Sequence, residues 1–459
     1  MSNVKQKIIN FLNGYTYPFC VAFFVLIGHL FSVEIYTIAF IALTVCAGFI
    51  LCKDLKFFIA PLVCFYFVFS KRSLSSETFY DTPSLIFYGV TIFAVLLSIV
   101  IHFIVYRKEI KIKNFTSSVL SKGLIVLIIA LLVSGLSSLQ NYDLKNLIFG
   151  FLNAIAFALP FFLFSINFQI DKTTKHYLCY VLILTSLVIT IEFLWLFING
   201  NVIQNGSIYK AALDLGWGVS NNIGAILAMF MPIYFYCASQ SKYFLLFFLG
   251  GLLTYGCVLL SLSRAAILFA TPILGACVLF LCIRKHKQRK QAIVYTLVLF
   301  VAACVGCVLI KDTLFIAFNH IIRAGFNDSG RFEYYKSGME KFFDAPIFGV
   351  GFWNTNGFNY SFVIVAPNYL HNTVIQFLAS CGIVGFVAYV YHRYQTIKLF
   401  VKNRNAYSFY IAMSILALLL TSLLDIHLFN IFPTIIYSTM LCIFEKIAPY
   451  QEENDKAEV

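Results

Sequence analysis

The sequence predicts an all-α polytopic membrane protein with about fourteen transmembrane helices and a helical extracytoplasmic loop. Three observations carry that expectation. Hydrophobic residues make up 61% of the 459-residue chain and charged residues only 12%, against roughly 25% charged in soluble domains. The mean hydropathy is +0.86, more apolar surface than a water-soluble fold can hide, so a bilayer must be the solvent for most of it. The apolar residues also come in runs close to the roughly 20 that a helix needs to cross the hydrocarbon core, and basic residues gather in alternate loops between them.

The runs are 15–31, 35–51, 57–70, 85–105, 119–138, 147–166, 177–198, 220–237, 243–261, 265–283, 291–310, 371–391, 407–424 and 429–446. The third is short. The first leaves through Leu30-Phe31-Ser32-Val33-Glu34, without the small-residue pair of a signal-peptidase site, so no cleaved leader is expected. The chain divides by content into N-terminal transmembrane helices over 1–209, a motif-bearing part over 210–446 that includes an external loop at 311–370, and a polar cytoplasmic tail over 447–459. No internal repeat is evident, nor the paired broken helices that mark transporters.

With the N-terminus inside, 23 of the 33 basic residues fall in inner segments, as the positive-inside rule requires. Both termini are therefore expected in the cytoplasm. The net charge of +13 is explained by this placement. Clusters such as Arg284-Lys285-His286-Lys287-Gln288-Arg289-Lys290 read as anchors on anionic lipid, and no nucleic acid is expected as a partner. The thirteen cysteines lie nearly all in apolar runs, and residues 311–370 contain none, which argues against a disulfide framework. Cys304 and Cys307 form a CxxC inside the run Tyr295–Ile310 and are expected to be small core residues.

The external loop balances Lys311, Arg323, Arg331, Lys336 and Lys341 against Asp312, Asp328, Glu333, Glu340 and Asp344, with aromatics between them, as in a small ordered lid. Phe332–Phe343 reads as an amphipathic helix near the interface, capped by Asp328 or Ser329. Pro346–Phe352 gives a turn with Gly349 and Gly351. Arg264, in Ser263-Arg264-Ala265-Ala266, sits between two apolar runs, where an arginine is costly and marks either a site or a snorkelling turn residue. Arg331 at the first turn of its helix opposes the dipole, so either an anion or a neighbouring Glu333 or Asp328 partners it. His371, followed by Asn372, opens the next span; it is either a group that titrates near neutral pH or an interfacial polar residue. Gly382 and Gly385 lie roughly 16 to 21 Å deeper and are expected to admit another helix closely.

Together these residues resemble the O-antigen ligase family. His371-Asn372, nine residues, then Gly382-Ile383-Val384-Gly385 matches its H-[NSQ]-x9-G-x-x-G signature. Ser263-Arg264-Ala265, Gly330-Arg331 with Tyr334, Pro346-Ile347-Phe348-Gly349-Val350-Gly351 and Leu215-Gly216-Trp217-Gly218-Val219-Ser220-Asn221-Asn222 are similar to its other elements, in the same order. The resemblance implies a GT-C-like, inverting, metal-independent glycosyltransferase of the cytoplasmic membrane, without cofactor. Such an enzyme moves a glycan from undecaprenyl pyrophosphate to an acceptor sugar hydroxyl on the periplasmic or extracellular face. The acceptor is the lipid A-core in ligases and another lipid-linked repeat in polymerases, and both stay open here. Carried over, His371 is the candidate general base, Arg264 and Arg331 the candidate pyrophosphate ligands, and Asp425, in Leu424-Asp425-Ile426-His427, a nearby acid. Glu192 either orients the histidine or an arginine, or is a buried polar packing residue. Two guanidiniums can neutralise a leaving diphosphate without a metal, and an imidazole can take the acceptor's proton. A lipid-linked oligosaccharide flippase is the alternative. It should line a path across the whole membrane with charge, whereas the intramembrane ionisable residues here are few: His29, His102 and Glu192.

Overall fold

The computed structural model describes residues 3–70, 82–110, 118–171, 173–204, 206–309, 311–319, 330–355 and 369–457. In chain order the helices are α1 Asn3–Asn13, α2 Thr16–Leu30, α3 Glu34–Leu51, α4 Ile59–Cys64, α5 Thr82–Val105, α6 Val119–Leu132, α7 Leu144–Ile166, α8 Thr174–Asn199 and α9 Ser220–Gln240. They continue as α10 Phe244–Leu260, α11 Arg264–Ile283, α12 Arg289–Leu309, α13 Lys311–Ala317, α14 Arg331–Asp344, α15 Thr373–Lys402, α16 Ala406–Thr421 and α17 Ile431–Ala457. Among the described residues the one sheet is a two-stranded ribbon, Ile203–Gln204 against Ser207–Ile208. The all-α polytopic architecture expected from the apolar runs is present.

Among the described residues nine helices are long and apolar enough to cross a membrane, or ten when α1 and α2, bent by 67°, are taken as one span. Leu55–Val68, α6, α10 and α16 are four shorter apolar helices. Each of the fourteen expected runs falls on one of these segments. The short third run is reinforced by 3₁₀ turns at Leu55–Phe58 and Phe65–Val68 on either side of α4. At about 2.0 Å per 3₁₀ residue against 1.5 Å for an α residue, that conformation lengthens it to roughly 25 Å.

By contact the chain forms two compact units. The first is residues 1–181, 330–404 and 422–459; the second is 182–329 and 405–421. These cut the chain differently from the divisions read along the sequence, because α16 packs with α9 and α11 of the second unit.

In the first unit, α6 packs on α15, α7 on α17, and α3 on α5. Gly123 of α6 lets the α15 backbone approach, since a β-carbon there would lie 2.9 Å from the His392 Cα. The N-terminus of α6, where Ser118 caps the Ser121 N–H, is also capped from a distance. The Glu445 carboxylate accepts from the Ser118 hydroxyl at 2.6 Å and from the main-chain N–H groups of Val119 and Leu120, which puts negative charge at the helix's positive pole. His102, on α5, uses both ring nitrogens: Nδ1 donates to the Phe49 carbonyl at 2.8 Å and Nε2 accepts from the Asn167 amide at 2.6 Å. It is a packing residue rather than part of a charged path.

The centre of this unit is a break in α15. Gly382 has φ 63° and ψ −159°, a conformation only glycine takes without strain. The break frees main-chain groups that an apolar surrounding cannot leave unpaired. The segment after α14 supplies them. Val350 and Gly351 donate to the carbonyls of Ala379 and Ser380 at 2.9 and 3.0 Å, and Ile383 and Val384 donate to Pro346 and Ile347 at 2.8 and 3.2 Å. The expectation that Gly382 admits a helix is corrected: what approaches it is the extended turn 346–351. A β-carbon on Gly382 would overlap the Ile347 carbonyl, and one on Gly349, at φ 71°, the Ser380 carbonyl. Gly385 faces Cys381 of its own helix. Gly382→Ala should therefore lower the thermal unfolding midpoint of the purified protein. It incurs at least the roughly 1–3 kcal/mol of a strained backbone, whereas Gly256→Ala, in α10 where nothing lies within 4 Å, should be neutral or stabilising.

In the second unit α9 is central. Of its most apolar window 89% is buried, against 6% for α12. Gly224 of α9 meets Ser261, Ser263 and Ala266, and Gly250 and Gly251 of α10 take the rings of Tyr234 and Phe235. On α12, Ala292 alone among its residues is buried, so its apolar faces turn outward, toward lipid. Cys304 and Cys307 are both exposed there, a correction to their expected place in a core. None of the thirteen cysteines is in a disulfide.

The expected amphipathic helix is α14, and Gly338 seats it against Ile375 and Leu370. The position before it is Gly330, at φ 76° and with no side-chain cap. Asp328 and Ser329, expected as caps, lie outside the described residues.

Candidate functional site

His371 is held by a segment zipped to the chain after α16. Asn372 caps α15: its Oδ1 accepts from the N–H groups of Val374 and Ile375 at 2.9 and 3.1 Å. Its amide donates to the Leu423 carbonyl at 2.8 Å, and Thr373 N–H donates to Ser422 at 3.0 Å. One residue earlier, the Leu370 N–H donates to Gln376 Oε1 at 2.9 Å, and the Gln376 amide donates to the Ser380 hydroxyl at 2.8 Å. Between these fastenings His371 takes φ 49°, a left-handed conformation uncommon for a residue with a side chain and often found at functional sites.

The zipper brings His371 to Asp425. Nδ1 lies 3.1 Å from Oδ1 of the carboxylate, with the imidazole 40% exposed and the carboxylate 10%. Asp425 also accepts from the Ile426 N–H at 2.9 Å. Burial alone would raise its pKa. The hydrogen bond from His371, the nearby His427 and the Ile426 N–H outweigh it and hold the carboxyl well below the usual range. An ionised Asp425 fixes the proton on Nδ1 and leaves Nε2 of His371 as the basic nitrogen. His427 is buried, and burial pushes its pKa down; Asp425 raises it, while His371 and Arg331 lower it again.

Helix α14 brings the aromatic and cationic groups. The Tyr334 ring meets the His371 ring edge to face, with centroids 5.5 Å apart, and the Tyr335 hydroxyl donates to the His371 carbonyl at 3.3 Å. Arg331 lies three residues before Tyr334, on the same helical face, close enough for its charge to act on His427. The first unit thus gathers His371, Asn372, Asp425 and Arg331. His427, Tyr334's contact, Gln376 and Ser380 join them.

Arg264 and Glu192 belong to the second unit. Arg264 opens α11 behind the Ser263 cap, after a turn in which Leu262 takes φ 53° and Ser261 donates to the Val258 carbonyl at 2.6 Å. Glu192 is 1% exposed and accepts from the Trp217 indole at 2.9 Å. A turn with Gly216 at φ 78° presents that indole. Among the described residues no three His, Cys, Asp or Glu side chains come together as a metal-ligating set.

Residues 244–390 match the family model described as O-antigen ligase. The match spans about a third of the chain and supports a likeness to the O-antigen ligase family. The matched stretch contains Arg264, Arg331, His371, Asn372, Gly382 and Gly385, while Asp425 and Glu192 lie beyond its ends. No curated protein matches the chain. The matched stretch thus contains the histidine, and the chain after it supplies the carboxylate that the histidine touches. His427 was the residue to find: it stands two positions from Asp425, in a segment otherwise apolar.

Proposed function

We propose that this membrane glycosyltransferase of O-antigen ligase or polymerase type uses His371 as general base, oriented by Asp425. The 3.1 Å contact between Nδ1 and the carboxylate is the observation that carries the reading. The donor is a glycan on undecaprenyl pyrophosphate and the acceptor a sugar hydroxyl of a lipid-linked glycan or lipid A-core. His371 Nε2 takes the hydroxyl proton as the oxygen attacks the anomeric carbon. The bond to the diphosphate breaks on the opposite face, inverting the centre, and undecaprenyl pyrophosphate leaves. Asp425 stabilises the imidazolium so formed, as a buried carboxylate does for a catalytic histidine elsewhere. Arg331 stabilises the charge growing on the diphosphate, and Arg264 is proposed as a second such ligand. The site works on the periplasmic or extracellular face of the cytoplasmic membrane, with both termini inside.

The test is transfer in proteoliposomes from a synthetic undecaprenyl-diphosphate glycan. One undecaprenyl pyrophosphate should be released per glycosidic bond, the anomeric centre should invert, and a chelator should leave the rate unchanged. Arg331→Ala should lower kcat/KM by roughly 10- to 10²-fold, the size of a charge-assisted hydrogen bond, and Arg331→Lys by less. An Arg331→Ala protein with undiminished kcat/KM removes Arg331 from the mechanism. Release of undecaprenyl pyrophosphate without a new glycosidic bond removes the transferase reading.

A further inference from the structure

A small cavity in the second unit lies where α9 and α11 end and α16 begins. Its volume is about 90 Å³, and Ser239, Gln240, Arg284, Lys285, His286 and Ala406 line it, over the rings of Phe280 and Tyr410. We infer that this cavity binds the phosphate-bearing headgroup of an anionic phospholipid.

Charge comes first. Arg284 and Lys285 bring two cations, and no acidic side chain lines the wall. Ala406 is the first residue of the sixteen-residue helix α16, so the positive end of its dipole adds to theirs. The walls are fixed before any ligand arrives. Phe280 stacks on Phe409 at 4.0 Å and meets Tyr410 edge to face at 5.7 Å. The Arg284 guanidinium lies over the Phe280 ring at 5.7 Å, which holds it at the mouth. His286 spends both nitrogens on the chain: Nε2 donates to the Leu281 carbonyl at 2.8 Å and Nδ1 accepts from the Gln288 N–H at 3.2 Å. It shapes the loop, and the cations do the binding.

Size selects the ligand. Pockets that enclose whole small molecules run to roughly 300–1,000 Å³, and this one fits a phosphoryl group. Leu279 and Ile283, both exposed near the end of α11 just before Arg284, offer a lipid's acyl chains an apolar surface. Basic pockets between membrane helices are known to hold anionic headgroups. The site is independent of the proposed transfer chemistry and uses none of its residues.

The alternative is a diffuse attraction, in which the whole basic run from Arg284 to Lys290 senses a negative membrane surface. The two differ in which lysines and arginines matter. Lys287 and Lys290 share the run but do not line the cavity, so two pairs of substitutions remove equal charge. The full-length protein, delipidated in detergent, is titrated with phosphatidylglycerol, phosphatidylcholine and inorganic phosphate. Adducts are counted by native mass spectrometry, and affinity is read from the shift of the thermal unfolding midpoint. One phosphatidylglycerol should bind saturably. The Arg284→Ala/Lys285→Ala pair should weaken it by roughly tenfold or more, and the Lys287→Ala/Lys290→Ala pair by less than about threefold. Arg284→Gln alone gives the same ordering should the double variant not fold. Equal losses in the two pairs would overturn the proposal, as would equal binding of phosphatidylcholine. Competition by inorganic phosphate at the lipid's own concentration would make the ligand a free anion, and so overturn the lipid.

Discussion

On the proposed mechanism His371→Ala should lower glycan transfer by roughly 10²–10⁴-fold while the protein still inserts and folds. The size follows from what a positioned base contributes when the nucleophile is a neutral hydroxyl. The normal folding follows from the geometry. The His371 side chain is 40% exposed, so its loss opens no core cavity. The segment is held through main-chain groups and through Asn372 and Gln376, so the substitution removes only the hydrogen bond to Asp425 and the ring contact with Tyr334, a modest loss of stability. Alanine at φ 49° is strained much as histidine is, so the backbone term largely cancels. The measurement is single-turnover transfer in proteoliposomes, beside a thermal unfolding curve. Transfer within about threefold of the parent protein, with the unfolding midpoint unchanged, would show that some other group takes the proton.

Asp425→Asn should give the second large effect, a loss of roughly 10²–10³-fold in kcat. A carboxamide is close in shape but presents either oxygen or N–H to Nδ1, so it no longer dictates which nitrogen of His371 carries the proton. It also lacks the charge that stabilises the imidazolium. The pair acts as a unit, so the double variant His371→Ala/Asp425→Asn should be no slower than His371→Ala alone. Full additivity of the two losses would separate Asp425 from the histidine. The carboxyl's depressed pKa adds a stability signature. A folded pKa below the unfolded one stabilises the protein above the unfolded value of about 4, and that stabilisation is lost as pH falls through the folded value. His427 works in the same sense at higher pH. Burial lowers its folded pKa, so protonation favours the unfolded chain once pH drops below about 6.5. Asp425→Asn should remove the acid-side slope belonging to the carboxyl and keep the one near neutrality. An unchanged slope at pH 3 to 5, measured by thermal unfolding, would mean another acid carries it.

The transmembrane segments were legible because lipid leaves few alternatives: an apolar run must be a helix, and its length sets a span. The 3₁₀ turns around α4 were not, because they answer to a shortage of residues in that run rather than to any residue type. Gly382 was visible as a glycine in a motif, yet its role needed its partner. The turn that fills the break lies more than thirty positions earlier, and main-chain pairing leaves no mark on side chains. The same holds for the site. His371 and Asp425 could each be singled out, but their contact rests on Asn372 reaching Leu423 and Thr373 reaching Ser422, and neither Leu423 nor Ser422 carries a signal of its own. His427 carries little signal in the sequence, where a histidine beside an apolar helix is ordinarily a packing residue. Cys304 and Cys307 misled because an apolar run looks the same whether protein or lipid covers it.

The turn 346–351 has a mechanical meaning. It is sewn into the split of α15 by main-chain hydrogen bonds on both strands of chain around Gly382, so the C-terminal end of α14 is immobile relative to the helix that bears the imidazole. A change in this turn would therefore be felt in two places at once: the break of α15 would lose its main-chain partners, and α14 would shift the Tyr334 ring that lies against His371.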